Sequence, residues 1–121
     1  MKVVMVKPYE EAKVVEITPT LENYQKIVNG YIECIYPFDD NVGLICNEEG
    51  KFGEEPNRAL YHDGRVYDVV FGTFLVVGLT EDDFQSLTDE QAEKYRKLYE
   101  RPEWFFKTRD GIAVMREGVR E

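Results

Sequence analysis

Basic charge is scarce in this chain: 15 Lys and Arg stand against 24 Asp and Glu, a formal net charge of −9. A surface of that sign repels phosphate backbones and anionic lipid, so neither direct nucleic-acid contact nor membrane-surface docking is expected. Histidine is reduced to one residue, His62, and cysteine to two, Cys34 and Cys46. With no further thiol pair and no His cluster, neither a zinc site nor a disulfide framework can be written, and no cofactor is implied. The longest apolar run, Val69 to Leu79, is broken by Gly72, Thr73 and Gly78 and is too short to span a bilayer. The opening MKVVMVKP has neither the apolar core nor the small-residue cleavage site of a secretion signal. A soluble cytosolic protein with reduced thiols is the expectation. Also missing are a phosphate loop, a dinucleotide fingerprint and any Ser, Thr or Cys with a recognisable partner base, so no catalytic residue is assigned.

What is present reads as one domain, since 121 residues suffice to bury a single core. Val3 to Val6 and Lys13 to Ile17 are β-branched runs joined by a polar turn. Thr18-Pro19-Thr20 supplies a cap and a first-turn proline for a helix whose Leu21, Tyr24, Ile27 and Val28 recur at helical spacing until Asn29-Gly30. Tyr31 to Phe38 and Val42 to Asn47 read as a hairpin around Asp39-Asp40-Asn41, which would set Cys34 opposite Cys46. Asp63-Gly64 is the strongest turn signal, with Ala59 to His62 and Arg65 to Val70 as its strands. Phe74 to Leu79 reads as a buried strand after a bend at Gly72. Thr80 and Thr88 read as helix caps; Thr88 with Gln91 forms a capping box, and Leu87 with Ala92 a hydrophobic staple. Pro102 ends that helix. Trp104 to Thr108 and Ile112 to Met115 form a small hairpin around Asp110-Gly111, and Gly118 to Glu121 is expected to fray. The order predicts an α+β domain with a mostly antiparallel sheet and two or three short helices packed on one face.

The motifs NGYIECIYPFDD, GLICNEEGK, PNRAL and VYDVVFGTFLVVGL, separated and in order, resemble a domain-of-unknown-function family carried by bacteriophages and conjugative or mobile elements of bacteria. The resemblance covers roughly residues 3 to 100, with Asn29 where a second glycine is usual, and sets a domain at 1–100 apart from a C-terminal extension at 101–121. It implies a host bacterial cytoplasm and, because small proteins of such elements commonly act on the host, an anti-defence role. It brings no activity with it.

The stretch CNEEGKFGEEPNRAL, Cys46 to Leu60, holds the candidate site. Asn47-Glu48-Glu49-Gly50 reads as a strand-ending turn. Asn57-Arg58 is not required by a turn: Arg offers a fixed fork of donors suited to phosphate or carboxylate, and Asn a donor and an acceptor. Two readings stand side by side, ligand contact and a loop pinned by an ion pair from Arg58 to Glu48 or Glu49. In the first, Asn47 and Glu48 face Asn57 and Arg58, and the loop closes over a shallow ligand pocket. His62 reads as a surface turn residue rather than a base. Glu48 and Glu49 point apart in an extended chain. Tyr67, Phe71 and Phe74 read as core. Three function classes follow: non-catalytic capture of a small anionic or nucleotide-like ligand, an acidic DNA-mimic decoy that occupies a host DNA-binding or restriction protein, and a small hydrolase.

Overall fold

Three strands built almost wholly from apolar residues decide the architecture. They are β1 (Lys2–Val6), β4 (Val42–Asn47) and β7 (Phe74–Leu79), and in β4 and β7 five successive residues are buried. Strands buried along their length require cover on both faces of the sheet. In the computed structural model, which describes residues 1–116, they lie side by side within a six-stranded sheet of order β2-β1-β7-β4-β3. Here β2 is Lys13–Glu16 and β3 Ile32–Ile35, while β8 (Phe84–Gln85) pairs with β7; every pairing is antiparallel.

The α+β class is the one expected, but the two helices divide between the faces instead of sharing one. On one face α1 (Leu21–Val28) sets Tyr24 and Val28 against Val3, Ile45, Leu75 and Val77. On the other, α2 (Asp89–Leu98) sets Ala92 and Tyr95, followed by Tyr99, against Val4, Leu44, Phe74 and Val76. The physical reason is the double-sided burial of the central strands, which a single covered face would leave wet. Thr20 caps α1, so Pro19 lies before the cap and not in the first turn. Asn29 ends the helix at φ 63, a left-handed conformation that glycine and asparagine both tolerate. The Thr88–Gln91 capping box of α2 is present, with Leu87 and Ala92 buried around it. Thr80 caps no helix: its hydroxyl accepts from the Asp83 N–H and closes a turn.

A two-stranded ribbon, β5 (Pro56–His62) and β6 (Arg65–Phe71), lies on the α2 side, where Leu60 and Val70 join the same core cluster. Asp63 and Gly64 turn it with φ 50 and 77, both positive as a type I′ turn demands. A second ribbon, β9 (Glu103–Thr108) and β10 (Gly111–Arg116), packs beside β5, and Trp104 stacks on Tyr9 at 4.8 Å. The cysteines are not opposed: Cys34 pairs with Ile45 and Glu33 with Cys46. One residue of register reverses every side chain, so Cys34 and Cys46 face opposite cores and both thiols are free. The expected loosening at Gly118–Glu121 lies outside the described residues.

Candidate functional site

Asn57 and Arg58 are strand residues, because β5 begins at Pro56 and not at Ala59. The β5–β6 ladder is interrupted twice. Pro56 pairs with Phe71 and Arg58 with Val70, which leaves Asn57 as an extra residue on β5. Leu60 pairs with Asp68 and Tyr61 with Val66, which leaves Tyr67 extra on β6. A bulge sets two residues against one and breaks the alternation of faces, so two successive polar side chains, Asn57 and Arg58, are both buried.

Each then satisfies its neighbours. Asn57 Nδ2 donates to the Val6 and Gly72 carbonyls at 2.9 and 2.8 Å, and its Oδ1 accepts from Arg58 Nη1 at 2.8 Å. Arg58, 1% exposed, donates through Nη2 to the carbonyls of Glu10 at 2.6 Å and Tyr99 at 2.8 Å. Tyr99 is the C-cap of α2, so the guanidinium meets the negative end of a helix. Burial draws the Arg58 pKa down, and the charge of Glu103 pushes it back. The loop-pinning partner expected at Glu48 or Glu49 is therefore replaced by backbone carbonyls. One donor is left over: Arg58 Nε is buried and has no hydrogen-bond partner.

Arg58 lines a depression of about 290 Å³ where the β5–β6 ribbon, the end of α2 and the β9–β10 ribbon meet. Its other cations are Lys97, Arg101 and Arg116, and its carboxylates are Glu100 and Glu103. Glu103, 3% exposed, is held by three donors: it accepts from the Ala59 N–H at 2.7 Å, the Tyr61 hydroxyl at 2.7 Å and Arg116 Nε at 2.9 Å. Arg116 also covers the Tyr61 ring at 4.3 Å. Burial, then the bond to Glu103, pushes the Tyr61 phenol up, and burial does the same for Tyr99.

Asn47 and Glu48 stand elsewhere, in a second depression of about 300 Å³ beside Asn29, Tyr31 and Phe52. Asn47 Nδ2 donates to the carbonyls of Val28 at 3.1 Å and Asn29 at 3.0 Å, and its Oδ1 accepts from the Glu49 N–H at 2.8 Å. It thereby closes the C-terminal end of α1, and a Cβ on Gly30 would come within 2.7 Å of it. Glu48 is exposed. The structure thus divides the four candidate residues: Asn47 and Glu48 in one depression, Arg58 in the other, Asn57 in the core behind it. The shared pocket under a closing loop is not the arrangement, because the first bulge buries Asn57 and Arg58 on the α2 side.

Tyr67, expected in the core, is instead 56% exposed and lines this wall, because the second bulge turns it outward; the wall residues that sequence reasoning passed over are Lys97, Arg101, Glu103 and Arg116. Glu103 carried a signal, a lone carboxylate opening the apolar run WFF; Tyr67 carried none, since a bulge is visible only once two strands are paired. His62 sits exposed at the turn, 3.5 Å from Asp63. Among the described residues no group of three or more His, Cys, Asp or Glu side chains is placed to hold a metal ion, and no helix is long and apolar enough to cross a membrane.

No curated protein and no solved structure matches this chain. A family described as "Domain of unknown function (DUF3846)" matches residues 1–100, so that β1 to α2, with Arg58 and Tyr67, fall within the match while Arg101, Glu103 and Arg116 fall beyond it. On that match, which takes in the whole six-stranded sheet and both helices, the chain belongs to the DUF3846 family.

Proposed function

We propose that this protein acts by non-catalytic capture of a small anion in the depression beside Arg58. The observation that carries the reading is a local reversal of charge: four cationic side chains against two carboxylates at one depression of a chain whose net charge is −9. One of those carboxylates, Glu103, is already engaged by three donors. Arg58 Nε adds a desolvated donor without an acceptor, an arrangement that costs about 1–3 kcal/mol and that an anionic ligand would relieve. Catalysis is disfavoured because Glu103 is already held by three donors, one of them the Arg116 guanidinium, and burial pushes the phenols of Tyr61 and Tyr99 up, away from use as bases at neutral pH.

The resemblance of the chain's motifs to proteins of phages and mobile elements supports placing this capture in host modulation, as an anti-defence function. Calorimetric titration with inorganic pyrophosphate at low and high salt tests the binding step. The expectation is saturable one-to-one binding that weakens several-fold in a Lys97→Met, Arg101→Met double variant of unchanged melting temperature. Binding that is unchanged in the double variant would contradict the assignment to this depression.

A second reading, the acidic decoy, is favoured by Glu81, Asp82 and Asp83, which are exposed on one turn and make no ion pair among the described residues. Neutralising all three should weaken capture of a host DNA-binding protein, more at low salt than at high salt. An unaltered pull-down would remove the decoy.

A further inference from the structure

The Arg58 depression also contains four aromatic rings, and three of them are engaged. Tyr61 lies under Arg116 and donates to Glu103. Tyr99 packs edge-on against Phe74 at 5.2 Å, and Phe38 against Tyr95 at 4.6 Å. Tyr67 differs: it is 56% exposed and has no ring or hydrogen-bond partner among the described residues. It is also the extra residue of the second bulge, the kind of irregularity that re-aims a side chain at a binding site. An apolar ring left uncovered beside Arg58 and Arg116 is poorly explained by capture of a bare inorganic ion, which would make no use of it. Positive groups beside a free aromatic face match a ligand with an anionic head and a planar ring, because bases stack on aromatic side chains while phosphate is held by cations.

Resting on the anion-capture reading above, we propose that the ligand is a nucleotide of the nucleoside monophosphate class, its phosphate drawn toward Arg58 and Arg116 and its base lying against Tyr67. The depression, about 290 Å³, is at the lower end of small-molecule sites, which favours a monophosphate over larger dinucleotides. The core of the site, Arg58 and Tyr67, belongs to the family domain, whereas Arg101 and Arg116 come from residues beyond it.

The test is calorimetric titration of the full chain with inorganic phosphate, ribose 5-phosphate and AMP, repeated on Tyr67→Leu and Tyr67→Phe. AMP should bind about five- to 150-fold more tightly than ribose 5-phosphate, the advantage expected of one stacked base. Tyr67→Leu should bring AMP down to the ribose 5-phosphate level without changing ribose 5-phosphate binding or the melting temperature, and Tyr67→Phe should keep the preference. Equal affinity for AMP and ribose 5-phosphate in the wild type would overturn the nucleotide assignment and leave anion capture standing. An AMP preference that survives Tyr67→Leu would overturn the placement of the base. Failure of every phosphate compound to bind would overturn anion capture itself.

Discussion

Replacing Arg58 by methionine keeps most of the aliphatic stem and removes the guanidinium. Four acceptors then lose a donor: the carbonyls of Glu10, Asn57 and Tyr99 and the Asn57 side-chain oxygen. Each buried acceptor left without a partner costs about 1–3 kcal/mol. Against this, the native state no longer carries a buried cation without a dedicated carboxylate, which returns part of that loss. The balance is a destabilisation of about 2–4 kcal/mol, a large share of the roughly 5–15 kcal/mol that holds a domain folded. These hydrogen bonds tie the turn after β1, the end of α2 and β5 together, so removing them should lower the urea midpoint with an unchanged slope. Arg58→Lys should recover only part of the stability, since an ammonium cannot present the planar fork. A midpoint within experimental error of wild type for Arg58→Met would refute the pinning role. It would also show that the carbonyls find water when the guanidinium is removed.

Three further outcomes are expected. Gly64→Val should cost about 1 kcal/mol or more, because a β-branched residue resists the φ of 77 at that turn; unchanged thermal melting would contradict it. Burial, with Glu33 nearby, pushes the Cys46 thiol up to about 12, so in a Cys34→Ser variant Cys46 should resist alkylation at pH 8 until the protein unfolds; labelling at the rate of a free thiol would contradict that. The Asn41 N–H and then the Tyr95 hydroxyl hold the Asp40 carboxyl below its usual range. Its contribution is therefore present above the unfolded value near about 3.9 and is lost as pH falls through the folded one. Asp40→Asn should flatten the acid limb of a stability profile as pH falls below about 4, and an unchanged limb would count against the assignment.

Local chemistry was legible wherever it was self-contained. Thr88 and Gln91 cap α2, and Asp63-Gly64 turns β5 into β6, because each needs only its own neighbours in sequence. The apolar runs of β1, β4 and β7 mark strands, of which Phe74 to Leu79 is expected to be buried, but their place at the centre of the sheet is not read from them, and the cover on both faces that their lack of alternation implies is not followed through in the expectation of helices on one face. Register was less legible. Cys34 and Cys46 lie in paired strands, but the loop at Asp39-Asp40-Asn41 leaves the pairing free by one residue, and that residue decides which core each thiol enters. The candidate site suffered most, since its geometry comes from two bulges. Asn57 and Arg58 stand out in the sequence as residues a turn does not need, and the structure buries both among backbone carbonyls. Their inward direction, and the meeting of Arg58 with Tyr67, Glu103 and Arg116, depends on strand pairing and on a ribbon more than 40 residues further along the chain.

The most direct test of anion capture beside Arg58 is a two-dimensional amide NMR titration of the full chain with pyrophosphate at low salt. Saturable shifts should cluster at Ala59 to Tyr61, Tyr67, Lys97 to Glu103 and Arg116, and should shrink in the Lys97→Met, Arg101→Met variant. Shifts that cluster at Asn47 to Glu54 would contradict the proposal, as would shifts that stay linear in concentration and scatter over the surface lysines.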